Sequence, residues 1–380
     1  MKVYDIQTEH SGGAALVSAR VEPNCAAAMN VWFRLDGIDH APTSAAEALV
    51  VGMLAPCMLD GEHLKIYGAL SWTLARNLEV AEDVLTAWYP HLTPVDVMAS
   101  QFTRVWPGVR PAAGQACCFT AGVNSWYSLL KHERRITHLV LVRGFDPALE
   151  SNDAWQKKRK TIGRIANRLG KRLVTCETNL RRVADKQSCG WGRAWDGDFW
   201  GEYLHGSALA AVGILLQREV GEIIVPAVHT FHRMKAWGSS PLLDPFWSTD
   251  RMRILHDGCE LSRADKIRLL AASEVALEAL HVCEQEPTNC GRCDKCFRTQ
   301  LALHMAGALE TARTFPSHFL LPAARGMLDP PRSAENAAHS IAVPHAEAVA
   351  RYAARILPPR ASRVPNSVEF MVRQQDHAPD

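Results

Sequence analysis

Two short segments near the start of the chain have the apolar-rich composition of strands. They are Ala15–Val21 and Val31–Gly37, and both place β-branched or aromatic residues beside polar ones. Two later segments, Ser44–Leu54 and Trp72–Trp88, predict helices. A stretch rich in proline and glycine follows and is typical of a linker. The pattern predicts a smaller α+β module over residues 1–112.

After the linker the pattern changes to apolar runs that alternate with helical segments. Short apolar strands separated by helices predict a mainly parallel sheet with both faces buried, which is an α/β doubly wound fold. Ligands bind to such sheets at the carboxyl ends of the strands. The predicted strands are 115–122, 137–144, 171–178, 222–228 and 251–258, and the predicted helices are 125–132, 153–169, 205–219, 266–280 and 296–305.

The alternating pattern predicts that residues 113–305 form the principal domain. Alanine, proline and arginine dominate the end of the chain. Residues 306–380 are therefore predicted to be a C-terminal extension, with one helix at 345–356 and a loosely ordered tail.

Charge and hydropathy narrow the class of protein. The chain has 380 residues and a formal net charge of +2, which gives no signature of nucleic-acid binding. The densest basic run, Lys157–Lys160, lies on a predicted helix and is interpreted as a solvated face, with a phosphate or RNA contact as the alternative. No apolar stretch reaches the roughly 18 residues of a membrane span. The first residues lack the apolar segment of a signal peptide, so a cytoplasmic location is expected.

Four cysteines fall in one short window. Cys283, Cys290, Cys293 and Cys296 follow the pattern C-x6-C-x2-C-x2-C. In a chain without an export signal, such crowding argues for metal binding rather than for disulfides. Four thiolates suit tetrahedral zinc, and a site filled by protein ligands predicts a structural ion. An iron–sulfur cluster and a redox-active thiol pair are the alternatives.

The segment Phe119–Ser125 lies between a predicted strand and a predicted helix. Backbone N–H groups and a helix N-terminus converge at such a turn and bind anions. Gly122 permits close approach of the backbone, and the hydroxyl groups of Thr120 and Ser125 add further polar groups. The residues alone also fit an ordinary strand-to-helix connection.

The segment Thr120–Ser125 resembles the Ser-Gly-Gly-x-Asp-Ser pyrophosphate loop of the PP-loop (adenine-nucleotide α-hydrolase-like) superfamily. Gly122 and Ser125 match, and Ala121 is expected to cost little provided that its φ stays negative. The resemblance implies that the loop binds ATP. Asn124 replaces an aspartate that helps to hold Mg²⁺ in such enzymes, and a neutral amide oxygen is a poorer ligand. Either another carboxylate holds the ion, or nucleotide turnover is weakened.

The cysteine cluster and the order of elements resemble the 7-cyano-7-deazaguanine synthase family of PP-loop enzymes, which carries a four-cysteine zinc site near its C-terminus. Gly238–Phe246 looks like a diverged form of that family's Asp-x-Arg-Pro-x-Phe stretch, and Leu261–Ile267 is similar to the start of its lysine-containing helix. The resemblance covers residues 114–305, and the first two cysteines are closer together here. It implies a diverged relative with a sheet of the HUP/PP-loop type.

Further candidate residues end strands or begin helices at the predicted binding edge. The resemblance implies that Arg143 and Gly144 contact adenosine. Arg181 is a candidate for holding a phosphate or carboxylate, His205 for acid–base work, and Asp244 for supporting Mg²⁺ or an amine. A turn, a surface arginine and capping residues are the plain structural alternatives. The predicted nucleotide-binding residues are Thr120, Ala121, Gly122, Val123, Asn124, Ser125, Arg143 and Gly144.

Together these features predict an AMP-forming, ATP-dependent enzyme with ATP, Mg²⁺ and structural Zn²⁺ as cofactors. A carboxylate or carbonyl oxygen of a small molecule would attack the α-phosphorus, and ammonia, an amine or a sulfur donor would then attack the adenylate. One alternative, which Asn124 supports, is a nucleotide-binding zinc scaffold without turnover. Another is modification of tRNA, for which the mixed charges of the N-terminal module give no support. No membrane partner is expected, and a homodimer stays open.

Overall fold

The computed structural model describes residues 1–104, 111–145, 147–185, 197–283, 285–286 and 288–316. Ten strands of these residues form one sheet. In chain order they are β1 (Lys2–Ser11), β2 (Ala14–Glu22), β3 (Met29–Asp36), β4 (Leu64–Ser71), β5 (Val97–Thr103), β6 (Gln115–Cys118), β7 (Ile136–Arg143), β8 (Arg172–Thr178), β9 (Glu222–Pro226) and β10 (Arg253–Asp257).

Nine α-helices are described in the same ranges, and none of the described helices is long and apolar enough to cross a membrane. A π-helical turn at Trp200–Leu204 leads into the sixth of them. The helices are α1 (Ala45–Asp60), α2 (Trp72–Trp88), α3 (Val123–Lys131), α4 (Asn152–Arg168), α5 (Leu180–Ala184), α6 (His205–Leu215), α7 (Arg263–Leu270), α8 (Glu274–Ala279) and α9 (Asp294–Met305).

Five strands form a parallel half of the sheet, in the order β10-β9-β6-β7-β8. The first of them in the chain, β6, lies in the middle, and the connections run outward from it in both directions. This confirms the prediction of an α/β doubly wound fold. The reversal of strand order between β6 and β9 leaves a crevice at their carboxyl ends, where ligands of such sheets bind.

Both faces of the parallel half are buried, because successive side chains of a strand point to opposite sides. Leu139 and Leu141 of β7 share a core with Trp126 of α3. Val140 and Val142 belong to a second core on the other face, which includes α6. This double burial explains why the strands are continuous apolar runs in the sequence.

The strand β3 joins the first segment of the chain to the parallel half. It pairs with β8 in antiparallel orientation, with Phe33 opposite Thr178. The side chain of Asn179, directly after β8, accepts the backbone N–H of Trp32 at 2.9 Å. The boundary between residues 112 and 113 stays a prediction, but the residues on its two sides share one continuous sheet.

Three strands of the first segment, β1, β4 and β5, were not predicted. Most residues of β1 and β5 are at least partly exposed, so neither strand shows the buried apolar face by which a sequence pattern reveals a strand. Hydrogen bonding between backbones, rather than a buried apolar face, holds these strands in the sheet, since β4 pairs with both β1 and β5.

The predicted single helix at 266–280 is wrong, because the structure has two helices, α7 and α8, in this region. Ser273 separates them, and its hydroxyl accepts the N–H of Ala276 at 3.3 Å, which caps the second helix. The predicted helix at 345–356 and most of the predicted C-terminal extension lie outside the described residues.

Candidate functional site

The loop after β6 turns sharply at Ala121, whose φ is +61°. This is the left-handed region, where a Cβ costs about 1–2 kcal/mol. The expectation of a negative φ is therefore wrong. The carbonyl of Ala121 accepts the N–H of His281 at 2.9 Å, which ties the loop to the segment before the cysteine cluster. Strain of this kind persists where the surrounding structure fixes the backbone.

Helix α3 begins directly after Gly122. The carbonyl of Gly122 accepts the N–H of Trp126 at 2.9 Å and the hydroxyl of Ser125 at 3.0 Å. The Ser125 oxygen in turn accepts the N–H of Thr120 at 3.4 Å. Residues 123–125, the first turn of α3, line a cavity, and the N–H groups of a first turn have no partner inside the helix. This is the local arrangement that binds anions.

The cavity, of about 590 Å³, opens beside the loop at the ends of β6 and β9. Its size lies within the roughly 300–1,000 Å³ of small-molecule sites. One wall of the cavity is apolar and aromatic and includes Val142, Phe145 and Trp200. The loop after β6 forms another wall. The predicted site residues that it brings together are Thr120, Gly122, Val123, Asn124, Ser125, Arg181 and His205.

Four cationic side chains line this cavity: Lys158, Arg181, Arg263 and Lys295. No aspartate or glutamate is among its lining residues in the described part of the chain. An excess of one sign of charge in a cleft favours a ligand of the opposite sign. Arg263 was not predicted, since tertiary packing alone brings α7 to the loop.

Arg181 is held in place by its neighbours. Its guanidinium donates to the carbonyl of Phe145 at 3.0 Å and lies 4.4 Å from the ring centre of Trp200. The rings of Phe145 and Trp200 are 4.9 Å apart. A guanidinium fixed by a hydrogen bond and a ring face is oriented for an anionic ligand in the cavity.

His205, at the start of α6, lines the same cavity. Burial lowers the pKa of its imidazole to about 4. The ring is therefore neutral at physiological pH, with one nitrogen that donates and one that accepts a hydrogen bond. In this state His205 is suited to orienting a polar ligand group through a hydrogen bond, whereas a pKa this low makes it a weak proton acceptor.

Asp244 is fully buried and is not among the residues that line the cavity. Its carboxylate accepts hydrogen bonds from the Ser239 hydroxyl at 2.8 Å and from the ring of His256 at 2.7 Å. Burial by itself would lower the pKa of His256, but the hydrogen bonds to Asp244 and Cys259 and their charges raise it to about 9. Asp244 therefore forms a buried ion pair with the imidazolium of His256 and does not line the cavity in which a ligand would bind.

Arg143 and Gly144 lie at the end of β7 but do not line this cavity. The guanidinium of Arg143 binds the Glu177 carboxylate at 2.9 Å and the carbonyl of Leu149. Gly144 has a φ of +102°, and a Cβ there would overlap the carbonyl of Thr178. The local contacts of Arg143 and the positive φ of Gly144 explain the presence of both residues without a ligand. Their contact with adenosine stays a prediction.

Asn124 has a partner that the sequence did not suggest. Its amide oxygen accepts a hydrogen bond from the ammonium of Lys266 at 3.1 Å. The same ammonium donates to the carbonyl of Ala227 at 3.1 Å, directly after β9. The amide oxygen of Asn124 therefore already accepts a hydrogen bond from a cation of the protein.

The four cysteines converge, with sulfur atoms that all lie within 4.8 Å of one another. The Sγ atoms of Cys283 and Cys293 are 3.9 Å apart, as are those of Cys290 and Cys296. Tetrahedral zinc with Zn–S bonds of about 2.3 Å requires a separation near 3.8 Å. The donor set and its spacing fit a structural zinc ion.

Backbone and side-chain groups hold the cysteine cluster in shape. The Sγ of Cys290 accepts the N–H of Cys293, and the Sγ of Cys283 accepts that of Glu286, both at 3.3 Å. Asn289 is buried, and its amide oxygen accepts the N–H of Val282 at 2.9 Å. Such outer contacts orient metal ligands. Because Cys283 also lines the cavity, the cluster forms part of the cavity wall.

Comparisons with protein-family models, with curated proteins and with solved structures found no match. The resemblance to PP-loop enzymes therefore stays an expectation that rests on the loop, the order of elements along the chain and the cysteine motif.

Proposed function

We propose that this chain binds ATP in the cavity beside the Thr120–Ser125 loop and transfers its AMP group to a small molecule. The observation that carries the proposal is the position of the loop, at the reversal of strand order, in a cavity lined by four cations. The polyphosphate would lie against the first turn of α3, Arg263 and Lys295. The base would lie against Val142, Phe145 and Trp200.

In the proposed reaction a carboxylate or carbonyl oxygen of the acceptor attacks the α-phosphorus. The bond from the α-phosphorus to the oxygen that bridges it to the β-phosphorus breaks, and pyrophosphate leaves with the electron pair. The cations and helix amides are fixed before the reaction and stabilise the charge that accumulates on pyrophosphate. Ammonia, an amine or a sulfur donor would then attack the activated carbon of the adenylate, and the bond from that carbon to the phosphate oxygen would break as AMP leaves.

The residues of the cavity do not fit a protein-bound magnesium ion. Mg²⁺ requires oxygen ligands, usually including one or two carboxylates, and no described lining residue is acidic. The amide oxygen of Asn124 already accepts from Lys266. We therefore assign neutralisation of the phosphates to the four cationic side chains.

Calorimetric titration of the zinc-loaded protein with ATP, with GTP as the control, tests the proposal. We expect ATP-selective binding that persists when magnesium is left out of the buffer. Arg181→Ala/Arg263→Ala should weaken it by about a hundredfold or more, since each of the two charge-assisted hydrogen bonds lost contributes about 1.5–3 kcal/mol. Arg159→Ala/Lys160→Ala removes the same charge outside the cavity and should change nothing.

Absence of ATP binding to the folded, zinc-loaded protein would refute the proposal. Binding without AMP release from any carboxylate would favour the second candidate, a nucleotide-binding zinc protein without turnover. The lack of an acidic residue among the described residues that line the cavity supports that candidate.

A further inference from the structure

A second cavity, of about 750 Å³, lies on the other side of the loop. One wall is α4, which presents residues about one helical turn apart: Ala154, Lys158 and Thr161. The opposite wall consists of the end of α8 and the cysteine segment.

The two cavities share a wall. Thr120, Lys158, His281 and Cys283 line both of them. A ligand in the second cavity would thus meet a nucleotide in the first one across the loop. Two adjoining cavities on one loop are the geometry that a transfer between two bound molecules requires, because the reacting atoms must be held close together.

The second cavity carries an excess of positive charge. Lys157 and Arg164 line it, and neither forms an ion pair with a described residue. Its acidic residues are already engaged: Glu278 binds Arg168 at 2.5 Å, and Glu286 pairs with an arginine of the cysteine segment. Among the described lining residues, cations therefore outnumber carboxylates, and both carboxylates already have an arginine partner, which favours an anionic ligand.

We propose that this second cavity binds the acceptor of AMP, a small molecule that carries at least two carboxylates. Lys157 and Arg164 hold one carboxylate, and the other reaches the α-phosphorus past Thr120. This assignment rests on the proposed function. Lys157, the first residue of the basic run Lys157–Lys160, would thereby have a role in ligand binding.

The geometry favours a small molecule over RNA. The cations lie in a concavity, whereas a nucleic-acid surface needs a continuous basic stripe. Arg159 of the same run instead turns to the carboxylate of Asp36 at 3.2 Å.

Citrate is the probe for this site, titrated calorimetrically into the zinc-loaded full chain with and without ATP. We expect citrate to bind in both conditions. Lys157→Ala/Arg164→Ala should weaken citrate by about tenfold and leave ATP affinity unchanged. Arg159→Ala/Lys160→Ala removes two charges from the same helix outside the cavity and should affect neither ligand.

Failure of citrate to bind, displacement of citrate by ATP, or equal effects of the two double variants would overturn the proposal. Salt-sensitive binding of bulk tRNA that only Lys157→Ala/Arg164→Ala abolishes would overturn it in favour of a nucleic-acid ligand. Citrate binding as expected in a protein that does not bind ATP would refute the acceptor role together with the proposed function, and would leave an anion site.

Discussion

The ammonium of Lys266 lies 3.1 Å from the amide oxygen of Asn124, beneath the first turn of α3. Lys266 is almost fully buried, with 2% of its surface exposed. The family resemblance would place a metal-binding aspartate at position 124. In this chain position 124 carries an amide, and the buried ammonium of Lys266 binds its oxygen. The positive charge at this point is therefore that of a lysine side chain.

The first prediction concerns Lys266. Burial lowers its pKa from 10.5 to about 8, against the opposing charges of Cys259, Glu260 and Asp257. Because the folded pKa lies below the unfolded one, the unfolded chain binds more protons between these values, and stability from this group rises with pH. The free energy of unfolding of the wild type, relative to that of Lys266→Met, should therefore increase by up to about 3 kcal/mol between pH 8 and 10.5. Denaturant titrations over this range measure it, and a constant difference would contradict the assignment.

The second prediction concerns the buried pair of Asp244 and His256, whose side chains are 0% and 3% exposed. Asp244→Asn leaves an imidazolium without its counter-charge and should destabilise the fold by about 3–5 kcal/mol at pH 6. The folded pKa of His256, about 9, is raised above the ordinary value of 6.5. The stability from this pair is therefore complete below pH 6.5 and is lost as the pH rises through 9.

Thermal and denaturant unfolding of the wild type and Asp244→Asn at several pH values provide the test for this pair. The gap between them should shrink across that window. A gap that is independent of pH would show that Asp244 acts without His256.

The third prediction concerns the strained loop. Ala121→Gly relieves a Cβ in the left-handed region, worth about 1–2 kcal/mol, and loses part of that gain to chain entropy. We expect net stabilisation of about 0.5–1 kcal/mol. Ala116→Gly is the matched control, since Ala116 lies buried in extended β6 and its replacement should destabilise. Destabilisation by Ala121→Gly would show that the turn differs from the one described.

The fourth prediction concerns the cysteine cluster. Elemental analysis should give about one zinc ion per chain, and Cys293→Ser should lose it and unfold more easily, because binding of structural zinc is coupled to folding. Cys57→Ala separates metal loss from simple destabilisation, since Cys57 is buried away from the cluster, beside Met1. It should reduce stability and keep zinc. Iron in the purified protein would contradict the assignment of zinc.

Several features of the protein follow from the sequence by itself. The apolar runs at 115–122, 137–144 and 222–228 predict strands buried on both faces, because such strands need no polar side. The cysteine spacing predicts the metal cluster, since four ligands within 14 residues can close around one ion without help from distant segments. The turn between β6 and α3 could be predicted for the same reason, since a strand-to-helix turn is a local feature of the chain.

Tertiary structure decided what depends on distant contacts. It paired β3 with β8 and so joined two segments of the chain in one sheet. It also placed β1 and β5, which lack the buried apolar face by which a sequence pattern reveals a strand. It placed Lys266 against Asn124, paired Asp244 with His256 outside the lining of the cavity, and gave Ala121 a positive φ. The side chains that bury these positions and set their electrostatic surroundings are distant in sequence. The local order of residues therefore could not predict these contacts.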